Sequence, residues 1–201
     1  MIKGLVIGST NPGKIKEWKL LLGKFPLVSV EELGNFPEPQ ENGKTFSEIA
    51  KTKAKHYALL TKNFVLAEDG GFEIDFLDGA PGVKSRRILP GDKEGTDQEL
   101  IDFVMEKLEG VPQSKRGAKL AVSVALADPQ GNVIYEDKGE IRGEIPTKPS
   151  PVLEPGYPYR SILFIPDAGK YYVNLTPEEH KRFSHRAPIA KRLAKFLLEY
   201  K

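Results

Sequence analysis

The segment Gly4-Leu5-Val6-Ile7-Gly8-Ser9-Thr10-Asn11-Pro12-Gly13-Lys14 decides the fold class. Its apolar first half predicts a short buried strand, and its polar second half predicts a turn that leads into a helix over residues 13–24. A strand over residues 27–30, a helix capped by Thr45 that runs to about residue 61, and a strand over residues 64–67 follow. Strands that alternate with helices across short links predict an α/β sheet with right-handed crossovers.

The pattern changes after residue 67. Residues 68–71 predict a turn, and residues 72–76 alternate as a further strand. Thr96 and Glu99 form a capping box that opens a helix. A strand over residues 119–127 and a hairpin turn follow, and then a long, bent strand over residues 133–145 that Gly139 and Gly143 are expected to interrupt. This hairpin indicates an antiparallel part of the sheet and a second lobe.

Composition narrows the class of protein. The chain has 201 residues, of which 39% are hydrophobic and 29% charged, so we expect one soluble globular domain over residues 1–201. The formal net charge of +2 is far below the basic excess of proteins that bind nucleic acid through its backbone. There is no cysteine, which excludes disulfides and thiolate metal sites, and the N-terminal apolar run is too short for a signal peptide. We therefore expect a cytoplasmic protein that spans no membrane and binds no nucleic acid.

The turn after the first strand is a candidate phosphate site. Ligands of α/β sheets bind at the carboxyl ends of strands, and a helix N-terminus favours anions. Lys14 has the position of a P-loop lysine, but Ile15 replaces the Ser/Thr that would bind magnesium, so the segment is not a Walker A loop. The alternative is an ordinary strand-to-helix turn with a solvated lysine.

The second predicted helix carries two charged residues that are candidate site residues. Lys53 falls within the apolar stripe defined by Phe46 and Tyr57, so its ammonium either extends past the core to solvent or points at an anion in a cleft. Glu48 lies on the other side of the same helix, where periodicity alone predicts a surface carboxylate.

Glu68 and Asp69 follow an apolar strand and precede two glycines. Acids at that edge of a sheet can bind Mg²⁺ or orient a water molecule, and the alternative is a pair of ordinary turn residues. Near the last helix, Ser184-His185-Arg186 forms a candidate reader of an anion or a base edge.

Taken together, these segments resemble the non-canonical purine nucleoside triphosphate pyrophosphatases, the inosine triphosphatase family. Residues 9–14 resemble the opening T-x-N-x-x-K motif, residues 45–48 with Lys53 resemble T-F-x-E-N-A…K-A, residues 67–75 resemble A-D-D-S-G-L-x-V-D, residues 79–87 resemble G-A-P-G-V-x-S-A-R, and residues 184–186 match S-H-R. Each motif is short, but five of them occur in order along nearly the whole chain.

The resemblance implies an elongated central mixed sheet flanked by helices, with two lobes around an active-site cleft, in a homodimer. It implies a Mg²⁺-dependent hydrolase that converts XTP, ITP and dITP to monophosphates and pyrophosphate. The implied roles are a general base that also contacts metal (Asp69), metal-associated acids (Glu48 and Glu68), phosphate contacts (Ser9, Asn11, Lys14 and Lys53) and base contacts (His185 and Arg186).

The sequence departs from the family pattern where the base is read. Residues 156–161 are Gly-Tyr-Pro-Tyr-Arg-Ser, whereas the family has G-F-G-Y-D-P. Tyr157 can still stack on a base, but Arg160 replaces an acceptor with a group that only donates. Two alternatives remain open: a Maf-like pyrophosphatase for pyrimidine nucleotides, and a nucleotide-binding sensor without catalysis.

Overall fold

The computed structural model describes residue 2 and residues 4–200. Its strands are β1 (Leu5–Ile7), β2 (Leu27–Ser29), β3 (Val65–Ile74), β4 (Pro81–Gly82), β5 (Gly117–Ala127), β6 (Val133–Glu144), β7 (Phe164–Ile165) and β8 (Lys170–Tyr171). Its α-helices are α1 (Pro12–Leu21), α2 (Val30–Leu33), α3 (Phe46–Thr61), α4 (Asp97–Lys107), α5 (Pro177–Arg182) and α6 (Ala187–Glu199).

The strands form one mixed sheet in the order β2-β1-β3-β5-β6-β7-β8, and β4 pairs with β3. β1 runs parallel to β2 and β3, whereas β4, β7 and β8 join their neighbours in antiparallel pairs. The predicted α/β class with a mixed central sheet and flanking helices is confirmed. Within the described residues, no helix combines the length and the hydropathy needed to cross a bilayer.

The chain divides into two compact units. The first contains the residues up to Gly70, residues 122–139 and the residues from His185 onward, and the second contains residues 71–121 and 140–184. Each unit has its own apolar core.

In the first unit β1, β3 and β5 are buried on both faces, and alternate residues of these strands enter different cores. On one face, strand residues such as Leu66 pack with residues of α1 and α6, including Trp18 and Leu193. On the other face, Val65 and Ala67 pack with α3. Small side chains on α3, Ala50, Ala54 and Ala58, let that helix lie close to the sheet. The side to which a strand residue points therefore decides which helices it meets.

The core of the second unit forms around α4. Thr96 and Glu99 make the predicted capping box at the start of this helix. Its apolar face packs on Phe72, whose ring stacks on that of Tyr159 with centroids 4.8 Å apart. Arg116 is buried in this unit and donates hydrogen bonds to the carbonyl oxygens of Leu108, Ile145 and Pro146.

Two local predictions were wrong. Residues 68–71 are not a turn, because β3 continues through them as one strand from Val65 to Ile74. The glycines of residues 133–145 do not interrupt β6 either. A Cβ on Gly139 would collide with the carbonyl oxygen of His185, and one on Gly143 with that of Phe164, so both glycines allow a close approach of neighbouring backbone.

Candidate active site

In the turn between β1 and α1, polar side chains accept hydrogen bonds from nearby backbone N–H groups. Asn11 caps α1, since its side chain accepts hydrogen bonds from the backbone N–H groups of Gly13 and Lys14 at 2.9 and 3.2 Å. The Oγ of Ser9, which is buried, accepts a hydrogen bond from the Asn11 N–H. This capping directs Lys14 into the first turn of the helix, next to the end of β1.

Glu68 and Asp69 point to opposite faces of the sheet. Both are buried, at 2% and 8% exposure. Because consecutive residues of a strand alternate, Glu68 shares the face of Leu66, toward α1 and α6, and Asp69 shares the face of Ala67, toward α3. The prediction of a turn at residues 68–71 was therefore wrong, because the glycines that suggested the turn lie within a strand.

Glu68 is surrounded by donors. Trp18 Nε1 and Arg186 Nε donate to Glu68 Oε2 at 2.7 and 2.8 Å, and Arg186 Nη2 donates to Oε1 at 2.7 Å. Lys14 Nζ lies 3.4 Å from Oε1. Burial raises the pKa of Glu68, but the charges of Arg186 and Lys14 and these hydrogen bonds outweigh it and hold the pKa far below its usual range. Glu68 is thus an ionised carboxylate that accepts three hydrogen bonds and lies beside the Lys14 ammonium.

Arg186 is the N-cap residue of α6 and is also buried. Besides the two hydrogen bonds to Glu68, its Nη1 lies 2.8 Å from Glu17 Oε2 and 2.7 Å from His185 Nε2. A guanidinium only donates, so His185 Nε2 is the acceptor of that bond. Arg186, which the resemblance assigns to base contact, therefore pairs with side chains of α1 and β3.

Asp69 differs from Glu68 in its environment. Among the described residues, no hydrogen-bond donor reaches the Asp69 carboxylate. Burial raises the pKa of Asp69 to about 6 against the opposing charges of Lys14 and Lys53, and Glu41 and Glu68 add to that rise. A buried carboxylate of this kind is stabilised when it binds a cation or a proton.

Lys53 projects from α3 with its side chain only 14% exposed, and its Nζ lies 2.7 Å from Glu41 Oε1. Glu48, by contrast, is exposed at the start of α3, where its Oε2 accepts a hydrogen bond from the Lys44 N–H at 2.7 Å. The hypothesis that Lys53 faces an anion agrees with this ion pair, although the anion here belongs to the protein.

The sequence did not predict three residues of the first unit that pair with the candidate site residues. Glu41 lies in a polar loop without periodicity, so nothing in its pattern distinguished it from a solvated acid. The sequence pattern does not distinguish Glu17 either. It does distinguish Trp18, because a buried indole N–H needs a hydrogen-bond acceptor, but the sequence does not say which acid is that acceptor.

The two predicted base-reading residues of residues 156–161 lie in the second unit. The guanidinium carbon of Arg160 lies 3.9 Å from the ring centroid of Tyr157 and 5.5 Å from that of Tyr172. Arg160 Nη1 lies 3.1 and 3.0 Å from the two carboxylate oxygens of Glu154. Its side chain is only 6% exposed. The guanidinium thus lies over the ring of Tyr157, near that of Tyr172, and pairs with the carboxylate of Glu154.

No group of three or more His, Cys, Asp or Glu side chains that could hold a metal ion occurs among the described residues. This arrangement still suits Mg²⁺, which keeps several waters and is commonly bound by one or two carboxylates together with substrate phosphates. Asp69 fits that role, because its buried carboxylate accepts no hydrogen bond within the described part of the chain.

Comparison with known proteins shows the family of the chain. The "dITP/XTP pyrophosphatase" of Halalkalibacterium halodurans is 36% identical over 198 residues, which cover 98% of this chain and 100% of that protein. The protein of the same name from Bacillus subtilis is 35% identical and covers 98% of both chains. The solved structure of the Staphylococcus aureus Ham1 protein superposes with a TM-score of 0.83 at 29% identity, over 99% of this chain and 100% of that one. The profile of the Ham1 family matches residues 5–196, and the chain therefore belongs to the Ham1 family.

Proposed function

We propose that this protein hydrolyses non-canonical purine nucleoside triphosphates, XTP, ITP and dITP, to the monophosphate and pyrophosphate. The enzyme class, a nucleoside triphosphate pyrophosphatase, is supported by the family and by the name that its relatives share. The proposal rests on the environment of Asp69. Its carboxylate is buried, its pKa is raised, and the charges of two lysines act on it. Such a group suits proton abstraction beside a polyanion.

Asp69 is the proposed general base. It takes a proton from a water molecule whose oxygen bonds to the α-phosphorus, while the bond from that phosphorus to the oxygen bridging to the β-phosphate breaks. Pyrophosphate is then the leaving group. In the protein without metal, burial raises the pKa of Asp69 to about 6, so its carboxylate is ionised at neutral pH and can accept the proton.

Lys14 and Lys53 are the proposed phosphate contacts, together with Ser9 and Asn11 at the first turn. Lys14 lies on α1 and Lys53 on α3, and the positive charges of both oppose the rise in the pKa of Asp69. Asp69 and Glu48 are the proposed metal contacts, and Mg²⁺ there supplies positive charge that neutralises the triphosphate. Both lysines and the metal oppose the negative charge that accumulates in the transition state.

Base preference is proposed to depend on Tyr157 and Arg160 in the second unit. A guanidinium donates to O6 and N7 acceptors, which xanthine, hypoxanthine and guanine share, whereas adenine presents an N6 donor. An unpaired buried donor costs about 1–3 kcal/mol. We therefore expect kcat/KM for XTP to equal or exceed that for ITP, with GTP weaker and ATP poorest.

The decisive measurement is the release of pyrophosphate from ITP, XTP, GTP, ATP and a pyrimidine triphosphate, with and without Mg²⁺. The proposal requires pyrophosphate as the product, a metal requirement and a preference for XTP and ITP. A preference for the pyrimidine nucleotide would favour the Maf-like alternative, and binding without any turnover would favour a sensor. Release of orthophosphate in place of pyrophosphate would contradict the proposed reaction.

The protein is further proposed to act as a homodimer, as the resemblance implies. The test is the mass in solution, which for a dimer is twice the chain mass of 22.3 kDa.

A further inference from the structure

We propose that Asp97 is a positioning residue for base recognition, which holds the loop of residues 150–161 through the backbone N–H of Gly156 and is itself held by Arg86. We call this segment the Tyr157 loop. The inference rests on the proposed function in taking Tyr157 and Arg160 as base contacts. Neither Asp97 nor Arg86 was a candidate site residue from the sequence.

On the C-terminal side of Tyr157, the loop is attached to the core of the second unit. Tyr159 is buried, its ring stacks on that of Phe72, and its hydroxyl donates a hydrogen bond to the carbonyl oxygen of Ser85. A buried aromatic ring with a satisfied hydroxyl holds its position by packing. The loop is therefore fixed two residues after Tyr157, independently of Asp97.

On the N-terminal side, Gly156 attaches the loop to α4. Its N–H donates a hydrogen bond of 2.6 Å to Asp97 Oδ2, across 59 positions of the sequence. Gly156 has no side chain to pack, and a Cβ added to it would have no atom within 4 Å. The hydrogen bond to Asp97 is therefore the contact whose loss we expect to release this side of the loop.

Asp97 is suited to be a fixed point. It is the first residue of α4, directly after the N-cap Thr96, and a carboxylate there is favoured by the helix N-terminus. The helix packs into the core of the second unit through Leu100 and Val104. The side chain of Asp97 is 15% exposed. A buried helix thus supplies the acceptor for the N–H of a surface loop.

Arg86 sets the orientation of this carboxylate. Its Nη1 donates to Asp97 Oδ1, and its Nη2 donates to the carbonyl oxygen of Gly95 at 3.2 Å. Because the guanidinium is planar, two bonds from it fix its orientation, and the second oxygen of Asp97 is left facing Gly156. The motif G-A-P-G-V-x-S-A-R has Ala at the position of Arg86, so this contact lies outside the motif.

Release of Gly156 is expected to disturb both proposed base contacts. The guanidinium carbon of Arg160 lies 3.9 Å from the centroid of the Tyr157 ring, so a shift of that ring also removes a contact of Arg160. The proposed phosphate contacts Lys14 and Lys53 belong to the first unit. We therefore expect weaker and less selective base recognition with unchanged phosphate binding.

The first measurement needs no substrate. Backbone hydrogen exchange of Gly156 is compared between the unaltered protein and Asp97→Ala. We expect roughly 10-fold faster exchange in the variant, because a hydrogen bond to a charged acceptor contributes about that factor. The thermal midpoint is measured on the same preparations, and we expect it to change little, because Arg86 is 47% exposed and water can solvate its guanidinium.

The second measurement is kinetic. Asp97→Ala is expected to raise KM for ITP and XTP by roughly 10-fold and to leave kcat nearly unchanged, as for a contact equally strong in the bound substrate and the transition state. The preference for ITP over ATP in kcat/KM is expected to fall by a similar factor. Inorganic tripolyphosphate, which has no base, is tested as a competitive inhibitor, and its inhibition constant is expected to stay the same.

Three further variants separate positioning from a general loss of structure. Asp97→Asn is expected to restore most of the KM, because its amide oxygen can accept from the Gly156 N–H. Arg86→Ala is expected to raise KM less than Asp97→Ala does, and to have no further effect in the Asp97→Ala background. Asp102→Ala is the matched control, because Asp102 is an exposed acid of the same helix that accepts a hydrogen bond from Gln98. It is expected to leave every readout unchanged.

Unchanged exchange of Gly156, or an unchanged KM and base ranking, would overturn the inference. So would an inhibition constant for tripolyphosphate that rises as much as KM, because that result would indicate general damage. If Asp97→Ala does not fold, Arg86→Ala decides the case through the same readouts. If no triphosphate is hydrolysed by the unaltered protein while Gly156 exchanges faster in Asp97→Ala, the proposed function fails and Asp97 remains the attachment point of the loop.

Discussion

At the level of single residues, the site depends on what surrounds each carboxylate. Glu68 and Asp69 are neighbours of nearly equal chemistry, yet the pKa of Glu68 lies far below its usual range and that of Asp69 is raised to about 6. Burial acts on both. Glu68 also receives hydrogen bonds from Arg186 and Trp18, and Asp69 receives none from the described residues, so burial dominates only at Asp69.

Asp69→Asn is expected to lower kcat for pyrophosphate release by about 10²–10⁴-fold, the usual contribution of a general base. The thermal midpoint is measured on the same preparation. We expect it to be preserved or raised at neutral pH, since Asn has nearly the shape of Asp and a buried unpaired charge is removed. Turnover close to that of the unaltered protein would mean that Asp69 is not the base.

The same substitution tests the raised pKa. The folded protein holds the Asp69 proton up to about pH 6, whereas the unfolded chain releases it near its ordinary value of 3.8. The folded state therefore binds more protons between these values, and the contribution of Asp69 to stability falls as pH rises from about 4 to 6. In chelator, Asp69→Asn is expected to be more stable than the unaltered protein at pH 7.5 and no more stable near pH 4. A stability difference that does not change with pH would contradict the assigned shift.

Lys53→Met is expected to weaken triphosphate binding, seen as a higher KM, while leaving the fold intact. The side chain of Lys53 is 14% exposed, and that of its partner Glu41 is 41% exposed, so water can solvate the Glu41 carboxylate once the ammonium is removed. Lys51→Met on the same helix is the control, because Lys51 pairs with Glu136 and not with the candidate site. An unchanged KM and kcat for Lys53→Met would show that its ammonium does not contact the substrate.

At the level of secondary-structure elements, the site requires close approach of backbone as well as the right side chains. β6 passes so near the start of α6 that Gly139 has no room for a Cβ beside the carbonyl oxygen of His185. The two glycines of this strand suggested interruptions, but they mark points where neighbouring segments come close. A sequence does not distinguish these two uses of glycine, because both remove a side chain.

Gly139→Ala is expected to destabilise the protein by about 1–3 kcal/mol, the usual cost of overpacking, and to displace the start of α6. The measurement is denaturant unfolding. Gly4→Ala serves as the control, since the nearest atom to an added Cβ there is 3.5 Å away, an ordinary contact. Equal stability of the two variants would show that α6 adjusts without strain.

At the level of the whole molecule, the fold is expected not to depend on a metal ion. The described residues contain no cluster of three metal-ligating side chains, and both units have complete apolar cores. Mg²⁺ is therefore expected to arrive with the triphosphate and to be needed for turnover alone. Adding EDTA should abolish pyrophosphate release and leave the thermal midpoint unchanged. A lower midpoint in EDTA would indicate a structural metal site.

The local pattern of the sequence by itself determined the α/β class, the start of the first helix to within one residue of the observed Pro12, and the Thr45 and Thr96 caps. Periodicity and capping depend on neighbours within a few residues, so they can be read along the chain. Only the tertiary structure decided that β3 runs unbroken past Gly70, that Glu68 and Asp69 face different helices, and that Arg186 pairs with an acid 118 positions away. The physical reason is that the groups packed around a charged side chain decide whether it acts as a metal ligand, as a base or as a member of an ion pair. Those partners come from segments whose distance in space the local pattern does not encode.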